Sequence, residues 1–251
     1  MLWPRIASHP QLCYFPLTAT TPAIAPEQGG YLRLSAEILK VNTANPDPQM
    51  IRYAAGWICR GFVVAVPTDT LYALAADPVN LASVEEIFRV KGRPEARALP
   101  LLINSLSFAQ FLARELPDNF YRLAQACWPG ALTLVVDASN RVPLKVTGNT
   151  RRIALRWPKS KIVDRFISEV GAPVTGTSAN LSGCPTCESG DEVFRQLGDR
   201  IPLILDAGGT NGALPSTIVE LRGDHWCIGR EGAIAPDQIR EALEGDDAVP
   251  A

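Results

Sequence analysis

Six short polar segments carry the side chains best suited to chemistry in this chain. Pro67-Thr-Asp-Thr-Leu-Tyr72 follows an apolar run and sets hydroxyls beside a carboxylate; by itself it reads equally well as a helix N-cap. Lys91-Gly-Arg-Pro94 puts two cations at the end of a helical pattern, where they also suit the helix dipole. Thr175-Gly-Thr-Ser-Ala-Asn-Leu-Ser-Gly183 packs hydroxyls, an amide and glycines together, the makings of a backbone nest for an anion, with a solvated turn as the plain alternative. Arg151, Arg152, Arg156, Lys159 and Lys161 are interleaved with Ile153, Leu155 and Trp157; Arg152 and Arg156 share strand parity and are expected to line one face of a cleft. Pro215-Ser-Thr217 and Arg230-Glu-Gly232 each stand at a strand end. Such a set suits a carboxylate or a small polyanion, because an arginine fork bonds two oxygens at once.

Other chemistries are excluded by what is missing. There is no G-x-x-x-x-G-K-[ST] segment, and Gly208-Gly-Thr-Asn-Gly212 is not a dinucleotide fingerprint, so any nucleotide is held another way. With His9 and His225 the only histidines, neither a Ser-His-Asp triad nor a His-ligated metal site is expected. Cys184-Pro-Thr-Cys187 lacks a second pair and reads as two loop thiols; the six cysteines are expected to be free. The balance of 24 Lys+Arg against 26 Asp+Glu argues against gripping long nucleic acid by bulk charge. No apolar stretch reaches the roughly 20 residues of a membrane span. The first thirty residues, with Arg5 as their one Lys or Arg, make a poor signal or transit peptide. A soluble, cytoplasmic chain is expected.

The elements that must position these loops alternate. Residues 1–30 hold five prolines and no period, and are expected to be an irregular extension. A strand is predicted through Leu32, Leu34, Ala36 and Ile38, then a helix capped by Asp47 with Pro48 at its first position, its apolar face Ile51, Ala54, Ala55 and Ile58, ended by Gly61. Phe62–Val66 reads as a buried strand. Further helices are predicted around Leu81–Phe88, stopped by Gly92, around Phe108–Leu112, from Pro117 to Cys127, over Ser160–Val170, over Ser189–Leu197 and from Pro236. Strands are predicted at Leu132–Val136, Arg152–Arg156, Pro173–Thr175, Pro202–Asp206, Thr217–Leu221 and Trp226–Gly229. This pattern implies an α/β (mixed α+β) fold: one domain over 31–245 with a twisted mixed sheet flanked by helices, and a flexible acidic tail at 246–251.

Taken together, PTDTLYAL at 67–74, KGRP at 91–94, PLLI at 100–103, WPGALTLVV at 128–136, RIALRWP at 152–158, TSANLSG at 177–183, PSTIVEL at 215–221 and REGAI at 230–234 resemble the YrdC-like family of threonylcarbamoyl-AMP synthases, in its short form. The resemblance runs in order over about residues 32–236; Ala73, Leu99 and Asn104 depart from the usual pattern. It implies synthesis of threonylcarbamoyl-AMP and pyrophosphate from L-threonine, bicarbonate and ATP, with Mg²⁺ accompanying the nucleotide. The product would feed a threonylcarbamoyl-transferase complex that modifies tRNA. Carried over by position, Thr70, Asn104, Arg156, Gly176 and Ser216 would hold threonine. Lys91, Arg93, Ser178, Asn180, Thr186 and Arg230 would surround ATP, with Lys91, Arg93 and Ser178 as the catalytic set. A non-catalytic or weakly active relative that binds RNA weakly through the basic groove is the alternative, and a carbamoyl-transfer accessory domain a third reading.

Overall fold

A computed structural model describes residues 35–93, 97–210 and 214–244. The expected extension at 1–30, the start of the first predicted strand and the acidic tail lie outside these residues.

Short β1 (Glu37–Lys40) leads to α1 (Pro48–Cys59). Asp47 caps that helix by accepting the Gln49 N–H at 2.8 Å, Pro48 opens it, and Ile51, Ala54, Ala55 and Ile58 are buried, all as the sequence predicts. β2 (Val64–Pro67) and β3 (Tyr72–Ala75) are buried throughout and pair antiparallel from Val64↔Ala75 to Pro67↔Tyr72. Thr68–Leu71 is therefore the turn of a hairpin rather than the start of a helix. The Thr68 hydroxyl makes the turn: it donates to the Leu71 carbonyl at 2.6 Å and accepts the N–H groups of Thr70 and Leu71 at 3.1 and 3.2 Å.

α2 (Leu81–Lys91) starts at the Asn80 cap and stops at Gly92, whose φ of 61° favours a residue without Cβ. β4 (Leu101–Leu102), α3 (Leu106–Leu112), α4 (Asp118–Cys127), β5 (Leu132–Asp137) and β6 (Arg152–Arg156) follow. Next come α5 (Lys161–Val170), capped by Ser160, then β7 (Val174–Thr175), β8 (Thr177–Ser178), α6 (Gly190–Leu197) and β9 (Leu203–Asp206). The described part ends with β10 (Thr217–Arg222), β11 (His225–Arg230) and α7 (Pro236–Glu244).

The fold class is the expected mixed one, but the expected single sheet is two. One has the order β1-β9-β2-β3-β8 and the other β11-β10-β5-β6-β4-β7, each mixing parallel and antiparallel pairs. β7 and β8 are neighbours in the chain yet belong to different sheets, and Gly176 is the single residue between them. A Cβ there would lie 2.4 Å from Leu102 Cγ, and the Gly176 N–H donates to the Pro100 carbonyl at 2.8 Å. Only glycine lets the chain pass this close to β4 and cross from sheet to sheet. The core beneath contains Tyr72, Phe120, Phe166, Ile51 and Leu101, all fully buried. It fixes the strand ends on which the polar loops sit.

Candidate active site

The hairpin turn and the end of β6 meet at one guanidinium. Arg156, 8% exposed, donates from Nη2 to Asp69 Oδ1 at 2.6 Å, from Nη1 to Thr70 Oγ1 at 2.8 Å and from Nε to the Gly130 carbonyl at 3.3 Å. A guanidinium has five N–H donors, so with these three engaged one donor on each terminal nitrogen has no partner among the described residues and is left to meet a carboxylate. Burial pushes Arg156 below its ordinary range, Asp69 works against that shift and Arg230 adds to it. The Thr68 proton goes to the Leu71 carbonyl, so across the 3.1 Å contact between the two hydroxyls Thr70 is the donor. Its lone pairs are then turned to Arg156.

Beside this group, Ser216 Oγ and Thr133 Oγ1 are 2.8 Å apart, and Thr133 is the register partner of Arg156. Arg230 donates from Nη2 to the Ser216 carbonyl at 2.8 Å and to Ser216 Oγ at 3.3 Å. Thr70 thus bonds Arg156 directly, Ser216 reaches the group through Thr133, and Arg230 joins at Ser216. Asn104 turns its amide onto α5, to the Asp164 carbonyl at 3.1 Å and Ser168 Oγ at 2.9 Å. Gly176 has its N–H engaged by Pro100, which leaves its carbonyl. Arg152 and Arg156 share a face of β6 as their parity implies, but they do not line one cleft. Arg152 pairs with Asp137 at 2.9 Å and donates to the Leu221 carbonyl at 3.0 Å, tying β6 to its neighbours.

The second group surrounds Lys91, which is buried at the end of α2. Its ammonium donates to the Ser178 carbonyl, to the Asn180 carbonyl at 2.9 Å and to Asn180 Oδ1 at 3.1 Å, which accounts for all three protons. Asn180 is just as fully used: Oδ1 also accepts from Ser178 Oγ at 2.6 Å, while Nδ2 donates to the Leu181 and Cys184 carbonyls at 3.0 and 2.7 Å. Burial first, then the nearby Arg93 charge, lower the Lys91 ammonium to about 8.

Most of the backbone of the anion nest expected at 175–183 is engaged within the protein. The N–H groups of Gly176, Ala179, Asn180, Ser182 and Cys184 bond backbone carbonyls, and that of Leu181 bonds Gln196 Oε1. These residues form a strand crossing and a pinned turn, with the Ser178 hydroxyl at its edge. Arg93 lies over the Phe88 ring at 5.3 Å and makes long contacts to the Arg97 and Ala98 carbonyls at 3.5 and 3.4 Å. Its Nε is buried without a partner among the described residues, and it borders a hollow of about 510 Å³ with Glu85 and Glu86. Thr186 is exposed. Cys187 is buried and its thiol is pushed up to about 11 by desolvation, so the C-x-x-C segment carries one solvent-facing thiol, Cys184, and one inert one.

The chain matches the Sua5_yciO_yrdC family, described as telomere recombination, over residues 57–232. It belongs to that family. The structure superposes on Pyrococcus abyssi Sua5 complexed with L-threonine with a TM-score of 0.80 and 34% identity, covering 82% of this chain and 61% of that one. Against Escherichia coli YciO the TM-score is 0.74 at 26% identity, covering 81% and 99%. By sequence it is 36% identical over 195 residues to the threonylcarbamoyl-AMP synthase of P. abyssi and 34% identical over 198 to that of Bacillus subtilis. Those alignments cover 77% and 78% of this chain, and 57% of each relative's own length. A synthase of the same name from Halorhodospira halophila is 36% identical over 159 residues, 63% of this chain and 83% of the relative.

Within this Sua5/YciO/YrdC chain, two residues matter that the sequence did not single out for a role. Asp69 is the partner of Arg156, and it lines an open cleft of about 650 Å³ with Thr68, Trp157, Lys159 and Thr210. Tyr72 is fully buried, donates to the Gly208 carbonyl at 2.7 Å and accepts the Ala207 N–H at 3.0 Å, which pins the far wall of that cleft to β3. The signal for Asp69 was its place between two threonines at a strand end. Its partner, 87 residues away, gave none. Among the described residues no group of three or more His, Cys, Asp or Glu could hold a metal ion, and no helix is long and apolar enough to cross a membrane.

Proposed function

We propose that this chain is an L-threonylcarbamoyladenylate synthase, a nucleotidyltransferase that converts L-threonine, bicarbonate and ATP into threonylcarbamoyl-AMP, pyrophosphate and water. The observation that carries the reading is Arg156, a buried guanidinium with one donor left on each terminal nitrogen beside Thr70 and Ser216, a receptor for a small carboxylate. Family membership supports it.

In this reading Arg156 forks the threonine carboxylate. The amino group, after its ammonium gives up a proton to solvent, condenses as the free amine with bicarbonate to a carbamate, releasing water, and a carbamate oxygen attacks the α-phosphorus of ATP as pyrophosphate departs. The protein supplies positioning and charge, which carry most of the work of phosphoryl-type transfer. Arg93 and Ser178 meet the phosphates directly, with Arg230 bridging the two halves, and Asn180 and Thr186 flank them. Lys91 acts differently from the sequence expectation: it holds Ser178 and Asn180 in place and lends its charge through them. Among the described residues no cluster of His, Cys, Asp or Glu could cage a metal ion, and magnesium would arrive bound to the ATP phosphates.

The catalytic unit would span 31–245 and work in the cytoplasm, ahead of a transferase complex that moves the threonylcarbamoyl group to tRNA. Arg152 is engaged by Asp137 and by the Leu221 carbonyl, which takes one arginine of the basic groove out of any grip on RNA. Supplying radiolabelled bicarbonate tests the assignment. The label should enter a nucleotide adduct when threonine and ATP are both present; label that stays in bicarbonate refutes it.

A further inference from the structure

We propose that Asp69 reads the ammonium group of the amino-acid substrate, so that Asp69 and Arg156 clamp a zwitterion; this rests on the threonine reading of the site. Arg156 Nη2 holds Oδ1 of Asp69 at 2.6 Å, whereas Oδ2 has no hydrogen-bond partner among the described residues. The Asp69 side chain is 16% exposed and borders the open cleft, so its second oxygen can be approached. The ammonium and carboxylate of an α-amino acid hang from one carbon, a span short enough to touch both members of a pair this close. Thr68 fixes where the carboxylate stands by closing the turn on either side of it, through bonds of 2.6 Å to the Leu71 carbonyl and 3.1 Å from the Thr70 N–H.

The charges argue the same way. A ligand carrying only a carboxylate reaches Arg156 at the cost of approaching Asp69, a like charge already seated on the same guanidinium. A zwitterion brings its own cation for Asp69, and neither member of the buried pair is left uncompensated. Asp69 is then the element that rejects acids without an amino group, a repulsive device as much as an attractive one. That suits the chemistry, because the amino nitrogen must be carbamoylated and a deaminated analogue would occupy the site unproductively.

The test is calorimetric binding of two ligands to the full chain: L-threonine, and (R)-3-hydroxybutanoate, which is threonine without its amino group. Wild type should prefer threonine by at least about tenfold, the worth of one charge-assisted hydrogen bond. Asp69→Asn keeps an oxygen for Arg156 but drops the charge; it should weaken threonine roughly 10- to 100-fold and leave 3-hydroxybutanoate equal or tighter. Asp69→Glu should recover part of the preference. If Asp69→Asn weakens both ligands in parallel, Asp69 only positions Arg156 and the proposal is wrong. Equal affinity of wild type for the two ligands overturns it without any variant having to fold. A wild type that binds neither ligand removes the threonine reading as well.

Discussion

Asp69 and Arg156, 87 residues apart in sequence, form a 2.6 Å ion pair between a hairpin turn of one sheet and the last residue of a strand in the other. The pair makes the junction of the two sheets a polar site. It also leaves the guanidinium with the donors a carboxylate needs. Arg156→Ala removes those donors and leaves the largely buried Asp69 carboxylate without its ion-pair partner. Threonine affinity should fall by about 30-fold or more, with ATP affinity nearly unchanged, and stability should drop by about 3 kcal/mol or more, as for a broken buried pair. Calorimetry with each ligand and thermal unfolding measure the three quantities.

Lys91 sets a pH dependence whose sign is fixed. Below about 8 its ammonium holds the Ser178–Asn180 segment with three donors; above it the neutral amine has two, and the segment loosens. The ATP-dependent rate should therefore decline on the alkaline side with a midpoint near 8. The titration of Lys91 does not itself favour unfolding over that range. The unfolded chain keeps this proton up to about 10.5, so between 8 and 10.5 it binds more protons than the folded one, and this residue's contribution to stability rises with pH there. Lys91→Met should abolish the alkaline limb and lower the rate at pH 7, which a pH–rate series would reveal.

Gly176→Ala places a methyl 2.4 Å from Leu102 Cγ, inside a fully packed region. The strain should destabilise the fold by roughly 1–3 kcal/mol. Combining it with Leu102→Ala, which opens space, should cost clearly less than the sum of the two single changes. Denaturant unfolding of the four proteins checks this.

Ser178→Ala deletes the 2.6 Å hydrogen bond to Asn180 but leaves the Lys91 contacts to the segment's carbonyls. The loss should be about 1 kcal/mol in stability, the worth of one ordinary hydrogen bond. Any larger fall in ATP-dependent rate, read from initial velocities, then measures what the hydroxyl does for the nucleotide.

Local rules made much of this molecule legible. Asp47-Pro48 and Gly92 mark helix ends because caps are written in adjacent residues, and the ladders at Leu132–Asp137 and Arg152–Arg156 follow from unbroken strand patterns. Tyr72–Ala75 escaped because a strand buried on both faces beside a tight turn has no alternation to display. β4 and β8 are two residues each, too short for any period, whereas the equally short β7 lies within the strand expected at Pro173–Thr175. The division into two sheets hangs on Gly176, whose need is set by Leu102, 74 positions earlier in the numbering. At the site, residue types were readable and their partners were not. Thr70 bonds Arg156 directly and Ser216 reaches the group through Thr133, but the saturation of Lys91, the engaged backbone of 175–183 and the diversion of Arg152 to Asp137 depend on tertiary neighbours.

Pyrophosphate release decides whether this chain adenylates a carbamate of threonine. With L-threonine, bicarbonate, ATP and magnesium all present, the wild-type chain should release pyrophosphate steadily, and omitting threonine or bicarbonate should reduce release to background. Arg156→Ala should need far more threonine to reach the same rate. Pyrophosphate released equally with and without threonine would show that threonine is not the substrate at Arg156.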